Sequence, residues 1–307
     1  MIQNLFKVSV IIPVYNAEKY VTEAVESALK QPETGEVLLI EDNSPDNSLA
    51  VCQQLASKYE KVKLFQHPDQ GNHGAGASRN VGLLNAQYPY ICFLDADDYM
   101  LPDRFKPAAK VFAENPEADG VYDAVGIDFT NDEAKEKWLK WKGYSITTIK
   151  KVLPPEEVFY CQALGRNGYF HTNGIVLKSN VFKEIGFFDT ELKLSQDNHM
   201  FIRIAAIYKL YPGSIVIPVA IRRVHGENRV LRSKDDVKFY SIILWEKLYF
   251  WSIDAKIKKS FKQVLFNNYY ISSRSNGVSI GSIIRRNIFI TIFWKFLITR
   301  LKNRLIS

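Results

Sequence analysis

The sequence predicts an α/β fold with a mixed, mostly parallel sheet flanked by helices and a helical extension at its C-terminal end. Two observations carry this expectation. Over the first 125 residues, short apolar runs alternate with stretches of helical periodicity, the order that generates strand–helix–strand units. Polar residues then close successive apolar runs, at Asn16, at Asp42 and at Asp97 with Asp98. In an open α/β sheet that edge is where ligands bind, so residues far apart in sequence converge on one crevice.

Taken in order, Val8 to Pro13 reads as a buried strand, stopped by Pro13 and followed by Tyr15-Asn16. Residues 18–30 place Val21, Ala24, Val25 and Ala28 on one helical face. Glu36 to Ile40 is the second strand, ending in Glu41-Asp42-Asn43-Ser44-Pro45-Asp46-Asn47-Ser48, where Asn47 or Ser48 is the expected cap of a helix running to Tyr59. Val62 to Phe65 is the third strand. A Gly-rich loop from Gly71 to Gly76 leads to a helix ending near Gln87, and Tyr90 to Leu94 is the fourth strand. A further helix is expected to begin near Pro102-Asp103. Beyond about residue 100 the alternation loosens; Pro154-Pro155 and Gly165-Arg166-Asn167-Gly168 mark loops before a compact unit from His171 to Arg232.

With 307 residues and 47% apolar content the chain can bury a large core, which excludes a disordered protein. Cys52, Cys92 and Cys161 never form a C-x-x-C pair and read as buried free thiols of a reducing compartment, not as a zinc or disulfide framework. Met1 to Lys7 lacks the pattern of a signal peptide, so the expected location is cytoplasmic. The net charge of +7 is uneven: residues 233–307 carry +10 and the preceding 232 carry −3. The expected division is therefore 1–232, with halves 1–125 and 126–232, followed by a basic aromatic helical tail, 233–307.

The segment Leu94-Asp95-Ala96-Asp97-Asp98 sets three carboxylates within four residues at the end of a strand. Like charges at that spacing raise one another's pKa, so a compensating positive group is expected. A divalent cation fits, because Mg²⁺ uses one or two carboxylates together with substrate phosphates. The plainer reading is a solvated acidic turn capping the next helix.

Six segments, in order over roughly residues 7–230, resemble those of the family 2 inverting glycosyltransferases, nucleotide-sugar enzymes of the GT-A fold. They are Val8 to Asn16, Glu41 to Ser48, Gly74-Ala75-Gly76-Ala77-Ser78-Arg79-Asn80-Val81-Gly82, Leu94 to Asp98, Gly186-Phe187-Phe188-Asp189 with Gln196-Asp197, and Arg223-Val224-His225-Gly226-Glu227-Asn228. The chain departs from the family pattern at Glu41, where Asp is usual, and at Gln196, where Glu is commoner.

The resemblance implies roles for individual residues. Pro13, Tyr15 and Asn16 line the donor site, Asp42 accepts a hydrogen bond from a uracil ring, and Arg79 contacts base or phosphate. Gly74 brings backbone N–H groups toward phosphate. Among Asp95, Asp97 and Asp98, one contacts ribose and one or two bind Mn²⁺ or Mg²⁺, with direct ligation expected at Asp97 or Asp98. His225 supplies a further ligand or a phosphate contact, and a ligating imidazole would favour Mn²⁺. Asp197 is the candidate general base, taking the acceptor's proton as its oxygen displaces the diphosphate with inversion. Taken alone, each also has a structural reading: Asp42 as a helix cap, Arg79 as a solvated charge, Asp197 as a carboxylate favouring a helix dipole.

The expected activity is transfer of a sugar from a nucleotide sugar, UDP-linked, to a hydroxyl of a glycan or lipid-linked acceptor in cell-surface polysaccharide synthesis. The rival readings are a nucleotidyltransferase, whose Gly-rich first loop this chain lacks, and a binding module without catalysis. The tail is expected to form amphipathic helices that lie on the inner membrane face, pack on the catalytic domain, or join a second copy of the chain. Its most apolar stretch, Asn287 to Thr299, is too short to span a membrane, for which about 20 residues are needed. No nucleic-acid recognition motif accompanies the basic charge.

Overall fold

A computed structural model describes residues 6–224 and 234–275 of the chain. It divides into two compact units, residues 1–232 and 233–307.

The first unit opens with β1 (Val8–Val14), α1 (Val21–Leu29), β2 (Thr34–Glu41), α2 (Ser48–Lys58), β3 (Val62–Gln66), α3 (Gly74–Asn85) and β4 (Tyr90–Phe93). There follow β5 (Tyr99–Met100), α4 (Lys106–Glu114), β6 (Gly120–Tyr122), β7 (Val125–Phe129), α5 (Asp132–Lys142), β8 (Ile146–Thr147) and α6 (Pro155–Leu164). A 3-10 turn (Thr172–Gly174) then leads into β9 (Ile175–Lys178), α7 (Asn180–Ile185), α8 (Gln196–Ile207), β10 (Leu210–Pro212) and β11 (Ala220–Val224).

A seven-stranded sheet has the order β10-β6-β9-β4-β1-β2-β3, and within it only β9 runs antiparallel to its neighbours. A smaller sheet, β5-β11-β7-β8, begins immediately after the acidic segment. The strands β1 and β2 are apolar on both faces because both are covered. Val10, Ile12, Val37 and Leu39 pack in one cluster with Val21, Ala24, Val25 and Ala28 of α1 and with Cys52 and Leu55 of α2. On the other face α3 comes very close: a Cβ on Gly82 would lie 2.4 Å from Ile11 Cγ2. The three cysteines are buried and free.

Three local expectations are corrected. The helix after the acidic segment starts at Lys106, not near Pro102, because Asp103 adopts a left-handed φ of +59° and closes a turn first. The α2 N-terminus is not capped by the Asn47 or Ser48 side chain. Asp46 Oδ1 accepts the Ser48 N–H at 3.1 Å, while the fully buried Ser48 hydroxyl accepts the Ala17 N–H at 2.9 Å and ties the β1 loop to the β2 loop. In the second unit, α9 (Lys234–Asp254) and α10 (Lys259–Ser275) form a hairpin in which Tyr249 stacks on Tyr269 with ring centroids 5.6 Å apart. Apolar and polar residues are not segregated around α9, which departs from the amphipathic pattern expected of the tail, whereas α10 keeps that pattern. Among the described residues, no helix is long and apolar enough to cross a membrane. The Asn287 to Thr299 stretch lies outside them.

Candidate active site

The carboxyl ends of β1, β2 and β4 meet at one edge of the large sheet, and the loops leaving β1 and β2 are bonded to each other. Asn16, at φ +53°, donates its N–H to Ser44 Oγ at 3.1 Å. Glu41 accepts the Ser44 and Asn43 N–H groups at 2.7 and 3.2 Å, which explains how its longer side chain is accommodated: it closes the turn that follows β2. Pro13 is buried within β1 and Tyr15 is exposed.

Asp42 is buried, and its two oxygens accept the backbone N–H groups of His73 and Gly74, each at 2.8 Å. Its carboxylate therefore anchors the Gly-rich loop and places Gly74 at the start of α3. His67 Nε2 lies 3.3 Å from Asp42 Oδ1 and 3.2 Å from Ser78 Oγ, bracing the same anchor from β3's exit.

One turn into α3, Arg79 is 4% exposed and donates from Nη2 to Asp95 Oδ1 at 2.6 Å. Its guanidinium also lies over the Phe188 ring, yet its Nε and Nη1 have no hydrogen-bond partner among the described residues. Burial works to raise the Asp95 pKa, but the Arg79 guanidinium, with His171 and Arg222 nearby, outweighs it and holds the carboxyl below its ordinary value.

The acidic segment is not a solvated turn. Asp98 is 2% exposed; Oδ1 accepts the Arg223 N–H at 2.7 Å and Oδ2 accepts Asn173 Nδ2 at 2.5 Å. Burial, and after it the charges of Asp97 and Asp95, push its pKa well up. Asp97 stays half-buried, its carbonyl accepting Arg223 Nη1 at 3.0 Å. The Arg223 guanidinium is stacked between Tyr20 and Tyr99, at 5.1 and 5.0 Å, and pairs with Glu23 at 2.7 Å. No three His, Cys, Asp or Glu side chains among the described residues form a metal cage. The donor set suits instead a hard cation that takes Asp97 and completes its shell with ligand oxygens, and a cation there would relieve the repulsion that raises Asp98. His225 lies outside the described residues.

Asp197 occupies the first turn of α8, behind Ser195 at φ +61°. Its Oδ1 accepts the Asn198 N–H at 2.8 Å. The preceding Gln196 fills the notch left by Gly76, where a Cβ would lie 3.1 Å from its Cγ. The start of α8 is thus seated on the start of α3. Tyr169, whose pKa is raised by burial, by its hydrogen bond to Tyr144 and, more weakly, by Asp197, stands on the same side.

Sequence reasoning missed His171, Asn173, Arg104 and Arg222. His171 Nδ1 accepts the Asn173 N–H at 3.3 Å, and burial together with the charge of Arg222 lowers its pKa to about 3. Arg222 lies over the Trp138 ring at 5.1 Å. The available signal was the polar run His171-Thr172-Asn173-Gly174 directly before an apolar strand. Because β9 is antiparallel, that run falls at the same edge as the ends of the parallel strands.

The comparisons agree with this arrangement. A model of glycosyl transferase family 2 matches residues 9–170, just over half the chain. An uncharacterized glycosyltransferase of Haemophilus influenzae is 39% identical over 113 residues, covering 36% of this chain and 44% of the relative. The minor teichoic acid biosynthesis protein GgaB of Bacillus subtilis is 30% identical over 206 residues, covering 66% of this chain and 21% of that protein. The chain thus spans less than half the length of these relatives. Among solved structures, S. aureus TarS 1–349 in complex with UDP-GlcNAc superposes with a TM-score of 0.64 at 22% identity, covering 88% of this chain and 74% of that one. The mannosyltransferase PcManGT of Pyrobaculum calidifontis, solved with GDP-Man and Mn²⁺, gives 0.57 at 16% identity, covering 93% and 80%.

A sheet edge of this kind, with a Gly-rich helix start and an acidic segment facing it, defines a GT-A fold. The chain belongs to glycosyl transferase family 2.

Proposed function

We propose that this chain transfers a sugar from a UDP-linked donor to a hydroxyl of a glycan or lipid-linked acceptor in cell-surface polysaccharide synthesis, with inversion at the anomeric carbon. The observation that carries the reading is the convergence of the Asp42-anchored Gly-rich loop, the buried Arg79–Asp95 pair and the half-buried Asp97 at one edge of the sheet. Backbone N–H groups at a helix start, an arginine and an open carboxylate suit a ligand that carries a diphosphate together with a divalent cation. The naming of GgaB for teichoic acid synthesis, and a UDP-GlcNAc complex of a protein with the same fold, support the polymer and uridine parts of the reading.

Tyr15 and Asn16, with the Asp42-anchored loop, would frame the base, and Asp95 the ribose. Asp97, more open than Asp98, is the better placed ligand for Mn²⁺ or Mg²⁺, and the family resemblance adds His225 as a further ligand. A cation bound there supplies charge neutralisation to the departing diphosphate. Asp98 keeps the segment's shape, and Asp197 accepts the acceptor's proton. The work divides between a donor half, residues 1–125, and an acceptor half, residues 126–232. The basic tail would add electrostatic attachment to an anionic membrane face.

Donor turnover and binding across a panel of nucleotide sugars, with Mn²⁺, Mg²⁺ or EDTA, test the proposal. Metal-dependent consumption of a single UDP-sugar, abolished by Asp97→Ala, is the expected result. Absence of donor binding in any metal condition would reject it.

A further inference from the structure

Below the acidic segment runs a line of buried polar groups that no step of the proposed chemistry uses directly. Arg104, Asp123 and Asn173 are each fully buried. Arg104 Nη1 donates to Asp123 Oδ2 at 3.0 Å, and Nη2 donates to the Asn173 carbonyl at 2.9 Å. The Asn173 side chain then spends both of its ends on the acidic segment: Nδ2 donates to Asp98 Oδ2 at 2.5 Å, and Oδ1 accepts the Asp95 N–H at 3.2 Å.

The base of this line is held without slack. Ser214 N–H donates to Asp123 Oδ1 at 2.7 Å, and a Cβ on Gly213 would lie 2.2 Å from that oxygen. The Asp123 N–H donates to the Gly174 carbonyl at 2.7 Å, and a Cβ on Gly174 would lie 2.5 Å from the Asp123 carbonyl. Only glycine permits either approach.

A buried ion pair of this kind adds little net stability, since well-packed apolar side chains of the same volume often do as well. What a buried polar network does give is a single geometry, and here both ends of the Asn173 amide are engaged, with Arg104 Nε the one atom of the line that lacks a partner among the described residues. Asn173 suits that purpose chemically. Its amide offers a donor and an acceptor on one rigid plane, so it can grip a carboxylate and a backbone N–H three residues apart in the same loop. Aspartate has no amide N–H donor, and leucine of similar size offers neither group.

We infer that Asn173 is a positioning residue: braced by Arg104 and Asp123, it fixes the separation of Asp95 and Asp98 and thereby sets where the intervening Asp97 is presented. The mechanical part of this inference stands on the hydrogen bonds alone. Its catalytic consequence rests on the sugar transfer proposed above.

The test uses the full chain with Asn173→Ala and Asn173→Ser, followed by hydrogen exchange and by donor turnover as Mn²⁺ is varied. Truncation to alanine should raise amide exchange across Asp95–Tyr99 while β1 and β2 keep their protection. It should raise the half-saturating Mn²⁺ concentration ~10–100-fold, the usual cost of losing a group that orients metal ligands. Serine, able to replace one of the two bonds, should fall between alanine and the parent. Parent-like exchange across Asp95–Tyr99 in the alanine variant would overturn the inference. So would loss of β1 and β2 protection in both variants, which marks a general stabiliser. A selective rise in exchange, in a parent protein showing no metal-dependent turnover, would uphold the brace and reject the proposed activity.

Discussion

Asp197 stands at the first turn of α8, where the Asn198 N–H fixes one of its oxygens. In the general-base role proposed above, Asp197→Asn keeps the shape of the side chain while removing its capacity to take a proton. The substitution should lower turnover ~10²–10⁴-fold, the typical contribution of a general base, with calorimetric donor affinity unchanged. Loss of donor affinity without loss of kcat would move Asp197 out of that role. His171 makes a different prediction, one about stability. Burial, then Arg222, hold its pKa at about 3 against an ordinary 6.5. Between those values the unfolded chain takes up a proton that the folded one refuses, so stability is lost as pH falls through that window. His171→Gln removes this loss, and its Tm relative to the parent should climb steadily as pH is lowered from 7 toward 4. A difference that does not vary with pH would mean the imidazole is not kept neutral by the fold.

At the scale of elements, the first four strands were legible because each is a β-rich apolar run closed by a polar turn. The helices between them were legible because α1 repeats its apolar residues at helical spacing. The direction of β9 was not legible. A short apolar run reads the same parallel or antiparallel, yet only the antiparallel choice brings His171 and Asn173 to the ligand edge. The Asp95 to Asp98 cluster was visible as a run of charge, but its burial beneath Arg223 and Asn173 depends on contacts with residues 75 or more positions away. The Gln196 departure also becomes intelligible only in space, since its side chain fills the notch at Gly76 and joins α8 to α3. Gly76→Ala places a methyl group against that side chain. The fold should tolerate it, because the neighbour is flexible, at a cost within the ~1–3 kcal/mol of ordinary overpacking. The displaced α8 start carries Asp197, so kcat should fall at least several-fold beyond any change in donor affinity. Equal losses in both quantities would show that the two helix starts are not coupled through this contact.

For the whole molecule, the uneven charge poses the remaining question. Residues 233–307 carry +10 while the rest is slightly acidic, so any attraction to an anionic surface originates in the tail. Within the described part of that tail, aromatic side chains are engaged with one another: Tyr249 with Phe266 and Tyr269, and Phe266 with Tyr270. Apolar residues spread around α9 do not make a face that could sink into a bilayer, and the aromatic residues of α10 named above are already engaged within the hairpin. Attachment through the α9–α10 hairpin would therefore be electrostatic rather than hydrophobic. Each Lys or Arg close to an anionic leaflet contributes about 1 kcal/mol, and that contribution collapses as the screening length shortens from ~10 Å at 0.1 M salt to ~3 Å at 1 M. The full chain should sediment with vesicles rich in anionic lipid at low salt, release at high salt, and ignore neutral vesicles throughout. Binding that survives high salt would require an apolar insertion, and the tail's charge would then be incidental to it.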